Sequence, residues 1–231
     1  MGKQKQQKKP STYQKKNPMQ PVQAKTPRQQ ELIDAICDHQ MSVTVGYPGT
    51  GKTYIPAALA ADAYYKGDIE KIILARPNIA AGATLGFRPG DLHEKLKEWF
   101  AEILRVLSLK LSNGAVQSAL HKGNIELVPF ETMRGRTFDD ALVILDEAQN
   151  TTSHEMKMFL TRIGTAKVVV NGDVMQSDLL SRSGLRTAID IVKQYDMDVP
   201  IVEFQEEDII RGGLCREWIV NFMDYETKEE S

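Results

Sequence analysis

Cysteine is nearly absent from this chain: of 231 residues only Cys37 and Cys215 carry a thiol, and neither lies in a CxxC spacing. That excludes a disulfide framework and a cysteine-based zinc site, and both thiols are expected to be buried as small apolar groups. Histidine is as sparse. His39, His93, His121 and His154 are scattered without the spacing of metal ligands. Long hydrophobic runs are missing too: ALVIL at 141–145 and VVV at 168–170 are typical, and a membrane-spanning helix needs ~18 apolar residues or more. No apolar stretch of a secretory signal opens the chain. A soluble, cytoplasmic protein without a membrane partner is expected.

Acid is missing from residues 1–28, which hold seven Lys and one Arg and so carry +8; the remainder has 21 bases against 31 acids, or −10, giving −2 in all. Residues 1–25 combine Lys, Gln and Pro with almost no aliphatics. Such a segment buries too little surface to offset chain entropy, and a disordered basic arm is expected. Two readings of the arm stand side by side, contact with nucleic acid and a solubilising tail.

From Thr26 the pattern changes. Thr-Pro-Arg-Gln-Gln-Glu-Leu begins a helix with Pro in its first turn, and the strand MSVTV (41–45) follows. Thereafter strands and helices alternate. The strands are KIIL (71–74), IELVPF (125–130), ALVIL (141–145), KVVV (167–170) and PIVEF (200–204). Helices are expected after Lys52, from Asp91 with Leu92, Leu96, Trp99, Phe100, Ile103, Leu104 and Leu107 on one face, over 153–163, over 184–195 and near 213–224. Near-continuous β-branched runs between helices predict strands covered on both faces: an α/β, three-layer parallel sheet. The expected domains are the arm at 1–25, one α/β domain at 26–225 and an acidic tail at 226–231.

The segment Gly46-Tyr47-Pro48-Gly49-Thr50-Gly51-Lys52-Thr53 matches GxxxxGK[ST] in full, directly after a strand and directly before a helix. Glycine lets the backbone N–H groups curl around phosphates, the helix N-terminus adds partial positive charge, Lys52 reaches the β- and γ-phosphates, and Thr53 ligates Mg²⁺. Further on, the strand ALVIL ends in Asp146-Glu147-Ala148-Gln149, placing two acids at the carboxyl edge of the sheet. Asp146 suits Mg²⁺ through a coordinated water, and Glu147 suits the attacking water as its general base. A third strand, KVVV, leads into Asn171, Gly172, Asp173 and then Gln176. Asp173 and Gln176 are expected to flank the γ-phosphate and to move the following segment according to whether that phosphate is present.

Together GYPGTGKT, LDEAQN and GDVMQ resemble motifs I, II and III of superfamily 1 helicases. More closely, ARPNIAAGATLGFRPGDL (75–92), FETMRGRTFDDALVILDEAQNTTSHEMKMFLTRIG (130–164) and DIIRGGLC (208–215) resemble the PhoH-like ATPase family over about residues 26–225. The resemblance implies a RecA-like P-loop core, ATP and Mg²⁺ as ligands, a link to phosphate starvation and a role in RNA metabolism. It also implies that Gln29 reads the adenine edge, although by its local sequence alone Gln29 reads as an exposed helix residue. Superfamily 1 enzymes complete their site with arginines from a second RecA-like domain, for which the chain as given leaves no room after 225. A closed homo-oligomer, a hexamer by resemblance, is therefore expected to lend an arginine across the subunit interface. Arg211 in DIIRGG is the first candidate, with Arg134 and Arg136 behind it.

Three functions fit these residues: an ATPase coupled to single-stranded RNA or DNA through the arm and the ring surface, a nucleotide-gated scaffold with slow hydrolysis, and a phosphotransferase with a small acceptor. The acid pair aimed at water and the missing lid of paired arginines weigh against the last.

Overall fold

In the computed structural model, residues 20–77, 92–133, 135–173 and 183–229 are described. Six strands, β1 (Met41–Gly46), β2 (Lys71–Arg76), β3 (Ile125–Pro129), β4 (Ala141–Leu145), β5 (Lys167–Asn171) and β6 (Ile201–Phe204), form one sheet in the order β3-β2-β4-β5-β1-β6. Every pairing is parallel. Each run read as a strand is one, to within a residue at either end, except that β2 continues two residues past KIIL to Arg76.

Alternation along the strands divides the core into two layers of packing. Ile72 and Leu74 of β2, Leu142 and Ile144 of β4 and Val169 of β5 face one cluster, while Ile73, Ala75, Val143, Leu145, Val168 and Val170 face the other. The first cluster is closed by α1 (Pro27–Asp38), α2 (Tyr54–Lys66), α4 (Ala101–Leu111) and α5 (Asn113–Lys122), and the second by α6 (Ser153–Leu160) and α7 (Gly184–Gln194). The expected three-layer α/β fold is what forms, because a strand buried on both sides needs apolar residues at every position. β4 is buried throughout, whereas the edge strand β6 alternates.

Local signals fix the helix ends. Thr26 caps α1, its hydroxyl accepting from the Gln29 N–H at 3.2 Å with Pro27 in the first turn. Thr152 and Glu155 form a reciprocal capping box on α6.

Several expectations are corrected. The single helix drawn from Asp91 is two, α3 (Leu92–Trp99) and α4, broken at Phe100, whose ring is fully buried. The helix α5 was not foreseen, since Ser112-Asn113-Gly114 reads as a turn; Ser112 instead serves as its N-cap, and Val116, Ala119 and Leu120 form its buried face. Both cysteines are exposed rather than buried, because Cys37 lies on the outer side of α1, whose inner face is Leu32, Ala35 and Ile36. Residues 20–25, assigned to the arm, lie on the domain. Val22 packs against the core, and the Lys110 ammonium donates to the Gln20 carbonyl at 2.5 Å. The last helix, α8 (Gly213–Glu229), runs through most of the expected acidic tail. Residues 1–19 of the arm lie outside the described residues.

Candidate active site

The chain leaves β1 at Gly46, wraps through the glycine-rich turn and enters α2 just beyond Thr53. The turn borders a cavity of about 440 Å³, a size suited to a small-molecule ligand, whose opposite walls include Asp146, Glu147 and Asn171. Pro48, Gly49, Thr50 and Gly51 lie in the wall. Tyr47 contributes its carbonyl, which accepts from the Thr50 hydroxyl at 2.9 Å and from Lys52 at 3.0 Å. Lys52 is folded back, its ammonium also donating to the Gly46 carbonyl, and its side chain is only 11% exposed. Burial lowers its pKa, while Asp173, Glu147 and Asp146 oppose that shift. The Asp173 carboxylate stands 4.0 Å from the ammonium.

Strand order assembles the corner around Thr53 and Asp146. β5 lies between β1 and β4, so its last residue, Asn171, falls between the P-loop and the acid pair. The Asn171 amide donates to Thr53 Oγ1 at 3.0 Å and to Asp146 Oδ1 at 2.8 Å, and these two oxygens are 3.3 Å apart. Asn171 Oδ1 is buried without a hydrogen-bond partner. One carboxylate, one hydroxyl and an amide oxygen with spare capacity fit Mg²⁺, which keeps several waters and takes phosphate oxygens for the rest. Among the described residues no group of three or more His, Cys, Asp or Glu could enclose a metal alone.

Glu147 follows in a left-handed conformation, φ 56 and ψ 37, which L-residues other than Asn and Gly rarely adopt. Non-glycine residues held there cost energy and cluster at functional sites. Burial, then the neighbouring Asp146, raises the Glu147 pKa, and Arg76 opposes the shift. Gln149 is almost fully buried and joins two motifs: its amide donates to Glu147 Oε2 at 2.7 Å and accepts from the Asp173 N–H at 3.0 Å.

Gly172 makes that bridge possible. A Cβ there would stand 2.8 Å from Gln149 Oε1 and 2.7 Å from Leu185 Cδ2. Gly172→Ala is therefore expected to cost about 2 kcal/mol of stability by overpacking, read from urea unfolding, and to misplace Glu147 through Gln149. Wild-type stability and turnover would show the fit to be looser than drawn.

The sequence model of the PhoH-like protein family matches residues 21–224. The chain belongs to that family. It is similar to a PhoH-like protein of Mycobacterium tuberculosis, 42% identical over 208 residues, covering 89% of this chain and 59% of the relative. It is also similar to the protein PhoH of Escherichia coli, 43% identical over 201 residues, covering 85% of this chain and 56% of the relative. The chain thus spans less than two thirds of the length of either. Among solved structures, a large terminase from a thermophilic bacteriophage superposes with a TM-score of 0.54 at 10% identity, over 84% of this chain and 48% of that one. That likeness extends to the fold alone.

Within this PhoH-like domain, Lys52, Thr53, Asp146, Glu147 and Asp173 line one cavity. Gln29 is buried rather than exposed: its carbonyl accepts from the Lys25 N–H at 2.8 Å and its amide donates to the Thr50 carbonyl at 2.7 Å. It ties the chain entering the domain to the P-loop. Arg211 lies in the wall of its own chain's cavity, its Cγ 2.7 Å from where a Cβ on Gly49 would sit, held there by the Ile210 N–H donating to the Gly49 carbonyl at 3.1 Å. Arg136 instead pairs with Glu126 of β3 at 2.6 Å, so its charge is already engaged away from the cavity. Gln176 and Arg134 lie outside the described residues.

Sequence reasoning missed two residues as members of the site. Asn171 was seen only as the start of the third motif, and its role follows from strand order. Arg76, the last residue of β2, was not singled out; its guanidinium meets Asp146 Oδ2 at 2.5 Å and lies 3.9 Å from Glu147 Oε1.

Proposed function

We propose that this chain binds ATP with Mg²⁺ and hydrolyses it to ADP and phosphate, with turnover coupled to single-stranded RNA or DNA. The observation that carries hydrolysis is Glu147: a carboxylate beside the metal acid, oriented by Gln149, partly open to solvent at 41% side-chain exposure and of raised basicity. Such a group accepts the proton of a water that it orients.

In the proposed cycle Lys52 leaves the Gly46 and Tyr47 carbonyls, which the phosphate oxygens replace, and its charge moves onto the β- and γ-phosphates. Thr53 and, through water, Asp146 would hold Mg²⁺, which neutralises charge on the β- and γ-phosphate oxygens when bound. A water oriented by Glu147 forms a bond to the γ-phosphorus as the bond from that phosphorus to the β–γ bridging oxygen breaks. Glu147 takes the water's proton and ADP keeps the bridging oxygen. Arg211, seated over Gly49, supports transition-state charge. Gln149 relays the state of the γ-phosphate between Glu147 and Asp173. Gln29 senses the P-loop and, by family resemblance, the adenine. Assembly into a closed ring, hexameric by the same resemblance, belongs to the proposal and is read by sedimentation.

The polymer partner is proposed from the basic arm. Since residues 20–25 pack on the domain, removing 1–19 is the clean test. The truncated protein is expected to bind single-stranded RNA more weakly and with a flatter salt dependence, losing a slope of about 0.7 for each lysine that neutralises a phosphate. Turnover without polymer should not change. Equal affinity and equal slope in the two proteins would leave the arm a solubilising tail.

A further inference from the structure

We propose that Arg76 is a positioning residue for the metal acid: it holds Asp146 so that one carboxylate oxygen faces Thr53 and the Mg²⁺ position. This rests on the reading of the site as an Mg·ATP hydrolase, and deepens it.

The two oxygens of Asp146 have separate partners. Oδ1 takes the Asn171 amide at 2.8 Å and faces Thr53 Oγ1 at 3.3 Å, while Oδ2 takes Arg76 Nη2 at 2.5 Å. A carboxylate free to rotate about its last bond would present either oxygen to a cation. Here Arg76 on one side and Asn171 on the other leave one orientation.

The arginine is itself held at three points. Its backbone ends β2, paired next to β4 with Ala75 opposite Leu145. Its Nη1 donates to the Trp99 carbonyl at the end of α3 at 2.6 Å, and its guanidinium lies 5.9 Å from the Phe100 ring centre. The planar fork of arginine can serve the Trp99 carbonyl and Asp146 at once, which a lysine ammonium on a flexible stem does with less precision.

Stability alone is a poor reason for this arrangement. The Arg76 side chain is 12% exposed and that of Asp146 4%, and Arg76 Nε is buried without a partner. Buried ion pairs are often no more stabilising than apolar residues of similar volume, because desolvation offsets the attraction. An ion pair kept at the metal corner despite an unsatisfied donor has a use there. Partners of this kind, one step removed from a metal, commonly govern ligand orientation and metal affinity. Arg76 also gives the acid pair a countercharge before any cation arrives.

The test compares Arg76→Gln and Arg76→Lys with wild type by calorimetry, titrating ADP and a non-hydrolysable ATP analogue with and without Mg²⁺. Affinity without Mg²⁺ should change less than about twofold, while the gain in analogue affinity that Mg²⁺ confers should fall about tenfold in Arg76→Gln. Arg76→Lys should recover part of that gain. In an Asp146→Asn background, Arg76→Gln should cause no further loss, because the residue it positions is already disabled. Should Arg76→Gln fail to fold, Arg76→Lys alone carries the comparison, with an expected partial loss of the Mg²⁺ gain. An unchanged Mg²⁺ gain, or an equal loss in the Asp146→Asn background, would overturn the assignment. Wild-type protein that shows the Mg²⁺ gain yet never releases phosphate would instead sink the hydrolase reading and leave Arg76 where it is proposed.

Discussion

Lys52→Ala is expected to weaken ATP binding by more than a hundredfold. Hydrogen bonds to charged groups contribute about 1.5–3 kcal/mol each, and Lys52 would make at least two, to the β- and γ-phosphates. About 3 kcal/mol corresponds to more than two powers of ten in Kd. The folded-back conformation of the free protein sharpens the prediction. Lys52 donates to the Gly46 and Tyr47 carbonyls, so it exchanges one set of acceptors for another on binding. The alanine variant leaves those carbonyls to water in the empty state and the phosphates unneutralised in the bound one. Unfolding by urea should show that the variant still folds, since the core clusters do not include Lys52. Calorimetry giving wild-type affinity for ATP would contradict the P-loop assignment.

Glu147→Gln should retain ATP and Mg²⁺ binding while slowing turnover by about 10²-fold or more, the usual cost of losing a positioned base. The substitution preserves shape and removes one of two neighbouring negative charges. Burial and Asp146 already strain the ionised form of Glu147, so nucleotide should bind as tightly as before or more so. The amide can still accept from Gln149, which keeps the bridge to Asp173. Single-turnover phosphate release, with affinity measured alongside, separates the two effects. Turnover at the wild-type rate would mean that another group activates water.

Much of this architecture was legible from residue type alone. The runs KIIL, ALVIL and KVVV are almost wholly aliphatic, and MSVTV interrupts its apolar residues only with the small Ser42 and Thr44, as strands in the middle of a parallel sheet do, so the parallel sheet and its three layers followed. The P-loop was legible because its spacing and its strand-to-helix setting coincide, and Asp146 and Glu147 because they end the most apolar strand. Spatial order was not legible. Nothing in the sequence says that β5 lies between β1 and β4, and that adjacency makes Asn171 a partner of both Thr53 and Asp146. The same holds for Arg76, which reaches the acid pair because β2 neighbours β4, and for Arg211, which passes over Gly49 because β6 neighbours β1. Gln29 was hidden for a different reason: a glutamine in the first turn of a helix is ordinarily solvated, and only the P-loop folded against it gives its amide the Thr50 carbonyl. Phe100 broke a continuous amphipathic pattern because its buried ring sits at the bend between two helices, where helical periodicity carries no warning.

The central claim is hydrolysis of ATP by this site, and inorganic phosphate release from ATP by the purified full chain tests it most directly. The measurement is made with Mg²⁺, with Mg²⁺ removed by chelation, and with single-stranded RNA or DNA added. The account predicts release that requires Mg²⁺ and rises when polymer is present. ATP that binds with Mg²⁺ but yields no phosphate under any of these conditions would contradict it.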